Sequence, residues 1–362
     1  MKVMTVLGTR PEIIRLSQII RKLDKYSEHI LVHTGQNHSE CLNDIFFREL
    51  EIRRPDYYLG AGSERFGSQM AVVFKEIEEL LCRLKPDKVL ILGDTNSGLA
   101  AIIAERMGIP VYHMEAGNRC FDLKVPEEIN RRLIDSISTY ALPYTHGSRE
   151  NLLNEGIGKS RIFVCGNPIY EVLQSFMDRI EESKILEKFK LCKKRYFLVT
   201  AHRAENVDVK ERLAQILQGM DMTSRSYNMP VIFSVHPRTR NKLGIYGFDT
   251  SYKNITFSEP FGFFDFVCLE KNAACVLTDS GTVQEECCIF NVPTVTMRDS
   301  TERPETVECG SNVVSGLDAA GICKCAEIML KTGTGWEYPK GYVDKDVSDK
   351  VMKLILGANR NV

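Results

Sequence analysis

The chain is a succession of short apolar runs, each ending in glycine or polar residues and each followed by an amphipathic helix, and this limits its fold more than any other feature. Lys2 to Leu7 is the first such run; Gly8 turns it into a helix with Ile13, Ile14, Leu16, Ile19, Ile20 and Leu23 on one face. Ile30 to His33 is the next strand, followed by the polar turn Thr34-Gly35-Gln36-Asn37 and a helix around Cys41 to Leu50. A loop with Pro55 and Gly60 leads to a long helix, about Gly67 to Leu84, and Lys88 to Leu92 is a strand ending at Gly93-Asp94-Thr95. A helix from Ser97 to Met107 and a strand from Pro110 to Met114 complete the pattern. Strands separated by helices of this length pair in parallel through right-handed crossovers.

The second half repeats the plan. Arg195 to Thr200 is a strand followed by AHRAEN, Val231 to Val235 one followed by His236-Pro237-Arg238, and Ala274 to Leu277 one followed by TDSGTVQEE. With 362 residues the chain is long enough for two cores. The expected class is α/β, with two doubly wound, Rossmann-like domains facing a cleft: residues 1–167, then 168–345. The tail 346–362 has Val347, Val351, Leu354 and Ile355 at helical spacing; such a helix can pack on either domain, with a return to the N-terminal one expected.

Function is sought where strands end. The stretch HMEAGNRCFDLKVPEEINRR, His113 to Arg132, holds four acids and four bases just after an apolar strand. Glu127 and Glu128 after Pro126 suit the first turn of a helix. Asp94 and Glu115 both sit at C-terminal strand ends, where α/β proteins face ligands, so their carboxylates should share one crevice. Glu127 and Arg131, four apart, share a helix face, either as a surface ion pair or as part of that crevice; Ile129, Leu133 and Ile137 form the expected buried face. Three acids near one crevice could supply a base and an acid on opposite sides of a substrate. Arg10 follows the first glycine turn, and His202 with Arg203 follows a strand of the second half, an arrangement suited to an anion. Asp279-Ser280-Gly281-Thr282 before a helix reads either as a plain N-cap or as a phosphate cradle of backbone N–H groups. Glu286 fits a sugar hydroxyl or a helix surface equally well. Arg298, Arg303 and His236 add positive charge in positions that are ordinarily solvated. Phe261, Phe263, Phe264 and Phe266 are core by default, although one could stack a nucleobase.

A net charge of -1 with no long run of one sign argues against a nucleic-acid or membrane-surface partner. No signal-peptide h-region or membrane-length apolar run is present, so a cytoplasmic protein is expected. The twelve cysteines are scattered, several in apolar segments (Cys82, Cys275, Cys287, Cys288), without a C-x-x-C pair; reduced, buried thiols are expected, and no metal. His113-Met114-Glu115 lacks the P-C-x-x-C partner of a zinc deaminase. Neither a G-x-S-x-G elbow nor a G-x-G-x-x-G turn nor a Walker lysine loop occurs, which removes hydrolase-serine, nicotinamide and ATP chemistry. No cofactor is expected.

GTRPE at Gly8 to Glu12, HTGQ at His33 to Gln36, GDTNS at Gly93 to Ser97, EAG at Glu115 to Gly117, PEEINR at Pro126 to Arg131, HRAEN at His202 to Asn206, DSGTVQEE at Asp279 to Glu286 and ERPE at Glu302 to Glu305 occur in order through both halves. Together they resemble the non-hydrolysing UDP-N-acetylglucosamine 2-epimerase family. That resemblance implies a glycosyltransferase-B type fold with UDP held mainly by the second domain. It implies that Asp94, Glu115, Glu127 and His202 are catalytic. It further implies that Arg10, Arg15, Phe266, Ser280, Gly281, Thr282, Glu286 and Arg303 contact the nucleotide sugar, with Phe266 near the uracil and Glu286 on the ribose. Arg15 stands where the N-acetylglucosamine enzymes have lysine, Thr282 replaces a glycine of DSGG, and AHRAEN replaces GHRREN. With HMEAGNRCFD and HPRTR, these features resemble the capsule and O-antigen branch that makes UDP-N-acetyl-L-fucosamine by inverting C2 of UDP-2-acetamido-2,6-dideoxy-L-talose. The expected partner is a UDP-activated N-acetyl amino sugar, and the expected assembly a homodimer. A UDP-sugar glycosyltransferase would share the fold but has no evident use for three acids in the first domain.

Overall fold

The computed structural model describes residues 1–35, 40–63 and 65–357, so Gln36 and Asn37 of the expected polar turn lie outside the described residues. The chain divides into two compact units, Met1–Ser175 with Lys340–Val362, and Phe176–Pro339. The boundary expected near residue 168 falls just before the helix Ile169–Ser175 of the first unit.

The first unit is built on six parallel strands: β1 (Lys2–Leu7), β2 (Glu28–His33), β3 (Tyr57–Tyr58), β4 (Lys88–Leu92), β5 (Val111–Met114) and β6 (Tyr140–Leu142), in the order β3-β2-β1-β4-β5-β6. β1 pairs on one side with β2, Lys2 opposite Glu28, and on the other with β4, Val3 opposite Lys88. Val3, Met4, Val6 and Leu7 are all buried, as a parallel strand covered by helices on both faces requires. Ile13, Leu16, Ile19, Ile20 and Leu23 of the helix Arg10–Tyr26 are buried, while Ile14 is half-buried. The helix Val347–Leu356 packs on this same Arg10–Tyr26 helix and buries Val347, Val351 and Ile355.

The second unit has β7 (Phe197–Thr200), β8 (Val231–Ser234), β9 (Ile255–Ser258), β10 (Cys275–Thr278), β11 (Thr294–Thr296) and β12 (Asn312–Val314), in the order β12-β11-β10-β7-β8-β9. Counted from its own first strand, this is the order of the first sheet read from the opposite edge. Each sheet therefore reverses direction between its first and fourth strands, β1 and β4 in one, β7 and β10 in the other, and ligands of open α/β sheets bind at such switch points. Phe197, Val199, Val231, Phe233, Cys275 and Leu277 join Leu213, Ile216 and Met220 in the core of this unit.

Several expectations need correction. The segment expected as a helix from Ser97 begins as a 3-10 turn, Asn96–Ala100, and becomes α-helical only over Ala101–Arg106. Cys82 is exposed, because its position on the helix Phe66–Leu84 falls opposite the buried Val73, Ile77 and Leu80. Cys275, Cys287 and Cys288 are buried free thiols. The largest correction concerns the helix Pro126–Ile137. Ile129 and Leu133 are each 47% exposed, and the buried residues are Glu128, Asn130, Arg131, Ile134 and Asp135. Hydrogen-bond partners waiting at the ends of β4 and β5 turn its polar face inward.

Candidate functional site

In the first unit the candidate residues collect at the C-terminal ends of β1, β4 and β5. Leu92 of β4 lies opposite Met114 of β5, so Gly93-Asp94 and Glu115 leave the sheet side by side. A β-carbon on Gly93 would sit 3.8 Å from Glu115 Oε2. Glu115 adopts φ +66°, a left-handed conformation that a side-chain-bearing residue takes only under constraint, and Gly117 follows at φ +78°. A side chain at Gly117 would meet the Ser148 carbonyl at 2.1 Å, which explains the glycine of the EAG turn.

Two arginines hold the two acids. Arg15, from the helix that follows β1, reaches Glu115 as an ion pair with 2% and 8% exposure, and the Tyr144 hydroxyl and the Asn118 amide each stand 3.4 Å from the same carboxylate. The Arg15 guanidinium lies over the Tyr144 ring at 5.7 Å. Arg131 binds Asp94 through Nε at 3.0 Å and through Nη2, while its Nη1 donates to Glu128 at 2.8 Å. Asp94 remains 22% exposed, unlike Arg131 at 2%. Glu127 is partly exposed on the first turn of the Pro126–Ile137 helix.

Around these lies a layer that the sequence reading missed. Glu128, expected as an ordinary first-turn acid, is fully buried and accepts from the Cys120 amide, Arg131 and Arg132. Burial pushes its carboxyl up, but the Cys120 amide and the arginines outweigh burial and hold it below the usual carboxylate value. Asp135 bonds His113 Nδ1 at 2.8 Å, the Gly117 amide at 3.0 Å and Arg119 at 2.8 Å. Glu12 accepts from the Gly8 amide at 3.0 Å, Thr9 Oγ1 at 2.7 Å and Thr95 Oγ1 at 3.0 Å, and so ties the β1 turn to the β4 turn. Burial raises its pKa to about 7 despite these donors. The signal was present: Thr9-Pro-Glu spacing is the T-x-x-E pattern of a capping box, and Glu128 stands three and four residues before two arginines. Arg10 is partly buried over the Phe46 ring at 5.7 Å, and among the described residues no carboxylate pairs with it.

In the second unit, Asp279 after β10 is the organising residue. Its carboxylate accepts from the backbone amides of His202 and Arg203, each at 2.9 Å to Oδ2, and from Asn206 Nδ2 at 3.1 Å. Thus the HRAEN turn after β7 is fastened to the DSGT turn after β10 across the switch point. His202 keeps 38% exposure, with Nδ1 at 3.4 Å from Asp279 and its ring 5.5 Å from that of His236. Ser280 is the N-cap of the helix Gly281–Ile289 but makes no capping side-chain bond to it. Any side chain at Gly281 would strike Glu302 at 2.7 Å, so this backbone is approachable only because the residue is glycine.

Arg298 and Arg303, expected to be solvated, are 2% and 4% exposed. Arg298 Nη1 and Arg203 Nη2 share Glu302 at 2.6 and 2.9 Å, and Arg303 pairs with Glu285. Buried acids within reach make burial of these cations tolerable. Thr282 begins the same helix as Gly281, and Glu286 is 3% exposed on its second turn. Phe263 and Phe264 pack against Phe176, whereas Phe266 is only partly buried. The structure thus brings together Asp94, Glu115 and Arg15 in the first unit, and His202, Ser280, Gly281 and Arg303 at one end of the second sheet.

Comparison with known proteins places these features in context. A family model described as UDP-N-acetylglucosamine 2-epimerase matches residues 21–356. The chain is 46% identical over 349 residues, 94% of its length and 95% of the other's, to the UDP-N-acetylglucosamine 2-epimerase of Methanocaldococcus jannaschii. It is 34% identical, over 98% of its length and all of the other's, to the UDP-2,3-diacetamido-2,3-dideoxy-D-glucuronate 2-epimerase of Pseudomonas aeruginosa. A crystal structure of the M. jannaschii enzyme in complex with UDP-GlcNAc and UDP superposes with a TM-score of 0.94 at 44% identity, covering 98% of this chain and 99% of that one. The fold is of the glycosyltransferase-B type.

Proposed function

The chain belongs to the UDP-N-acetylglucosamine 2-epimerase family and is an isomerase, and on that footing we propose that it inverts C2 of a UDP-activated 2-acetamido sugar, with UDP-2-acetamido-2,6-dideoxy-L-talose as substrate and UDP-N-acetyl-L-fucosamine as product. The observation that supports C2 chemistry best is the pair of strand-end carboxylates, Asp94 and Glu115, each held by a buried arginine.

The chemistry follows from the acidity of the substrate. C2 has no neighbouring carbonyl in the ring, so a carbanion there is inaccessible. Loss of UDP solves this: a carboxylate takes the C2 proton, the C1–O bond breaks with its electron pair leaving on the diphosphate, and a C1=C2 double bond forms. Protonation of C2 from the other face and return of the diphosphate oxygen to C1 complete the inversion. Asp94, Glu115 and Glu127 are assigned to these proton transfers, with His202 as a further acid–base group. Arg10, His202, Arg303 and the amides at Ser280, Gly281 and Thr282 are assigned to the diphosphate, whose charge grows as it leaves. Phe266 is assigned to the uracil and Glu286 to the ribose.

The 6-deoxy-L-sugar reading rests on Arg15, Thr282 and the GNRCFD segment, and it would make the product a precursor for a surface polysaccharide. A second reading, UDP-N-acetylglucosamine as substrate, is favoured by the name of the 46% identical relative. Comparing kcat/KM for the two substrates with purified protein decides between them: a preference for UDP-N-acetylglucosamine returns the chain to that activity. We also propose a homodimer, supported by Phe121, Leu123, Ile129 and Leu133, exposed at 67%, 61%, 47% and 47% within one short stretch. No described helix is long and apolar enough to cross a membrane.

A further inference from the structure

Glu270 takes no part in the chemistry above, yet it is fully buried on the helix Phe263–Asn272. Neither of its carboxyl oxygens receives a hydrogen bond from a donor among the described residues. The helix Gly281–Ile289 packs against this helix, and its Glu286, only 3% exposed, is the carboxyl that interacts with Glu270. Among the described residues, the Cys287 thiol and the Tyr196 phenol also feel the Glu270 charge. The phenol is occupied, donating to the Leu269 carbonyl at 2.6 Å. Two carboxylates cannot both stay charged in contact in a buried site, and two acceptors can bond only with a proton between them.

We propose that Glu270 and Glu286 form a proton-sharing carboxyl pair in which Glu270 is a positioning residue: it donates its proton to Glu286 and fixes that carboxylate as the acceptor for the vicinal hydroxyls of a nucleotide ribose. Burial, and then the charge of Glu286, both push the Glu270 carboxyl well above the usual carboxylate range, consistent with its carrying the proton. The inference rests on the assignment of Glu286 to the ribose.

The test uses the full-length protein with UDP and 2′,3′-dideoxy-UDP as probes, in calorimetry and infrared spectroscopy. Wild-type protein should show the C=O stretch of a buried protonated carboxylic acid that Glu270→Gln lacks. Glu270→Gln, whose amide still donates, should bind UDP within ~3-fold of wild type, whereas Glu270→Leu should bind UDP ~10-fold more weakly. Glu270→Leu should bind 2′,3′-dideoxy-UDP as wild type does, a selectivity that general damage to the helix would not produce. Equal loss for both nucleotides, or no loss for UDP, overturns the positioning role, and an unchanged infrared band in Glu270→Gln overturns the shared proton. Glu286→Gln separates the two layers: if it binds UDP normally, the ribose assignment fails, while the band alone still decides whether the pair exists.

Discussion

Arg15 and Glu115, one hundred residues apart in sequence, meet as an ion pair that water barely reaches. The acid proposed to move the C2 proton is therefore not a loose surface group: its position is set by a cation delivered from the opposite side of the switch point, on the helix that follows β1.

If Glu115 and Asp94 serve as base and acid, Glu115→Gln and Asp94→Asn keep shape and arginine contacts but lose basicity. Each should lower kcat by ~10²-fold or more. Turnover in D₂O should place deuterium at C2 of the product. Hydrogen retained at C2 would rule out proton exchange by these groups.

Glu12 gives a pH dependence with a definite sign. Its folded pKa is about 7, above the ordinary value of 4.5, so the folded protein binds the proton more tightly than the unfolded chain. Its contribution is complete below about pH 4.5 and is lost as pH rises through about 7. Glu12→Gln should flatten that part of the stability curve, measured by chemical denaturation at a series of pH values; an unchanged slope would show that another group is responsible.

Arg303→Ala would leave Glu285 buried at 1% exposure without this partner, so the substitution should cost the fold as well as UDP binding, by ~3 kcal/mol. Arg303→Ala with Glu285→Gln should recover part of the stability but not the UDP affinity. Thermal unfolding with calorimetry separates the two, and full recovery of UDP binding would remove Arg303 from the diphosphate site.

Ile129→Asp with Leu133→Asp should yield a folded monomer if their exposed face joins two copies of the chain. Sedimentation equilibrium is the measurement, and a dimer that persists would move the interface elsewhere.

Much of this arrangement was legible because period and punctuation agree. Apolar strands ending at Gly8, Gly93 and Asp279 announced the parallel sheets and the edge at which Asp94, Glu115 and Ser280 emerge. The short strands β3, β6, β9 and β12 are not evident in the sequence, since two to four residues carry little periodicity. The Pro126–Ile137 helix departs from expectation for a physical reason: Ile129, Leu133 and Ile137 make a plausible buried stripe, of which only Ile137 packs on the core, and the tertiary partners Asp94, Cys120, His113 and Gly117 reveal that the charged side faces the interior. Arg298 and Arg303 are buried rather than solvated for two different reasons: Arg298 pairs with Glu302 four residues on, a spacing visible in the sequence, whereas Glu285, which pairs with Arg303, comes from the helix Gly281–Ile289.

That inverted helix has a further consequence, for local unfolding. Hydrophobic burial holds its docking face through Ile134 and Ile137, and the rest of that face is held by Glu128 and Asp135. Burial opposes the charge of each, but hydrogen bonds and neighbouring cations prevail and hold both pKa values below their ordinary 4.5 and 3.8. The stabilisation they give is present above those values and is lost as pH falls below them. Acidification below those values should therefore release residues 126–137 while the two sheets stay intact. In hydrogen exchange the amides of this helix should lose protection first, a separately melting foldon whose latch is ionic; protection that falls uniformly across the first unit would show that the latch and the sheet open together.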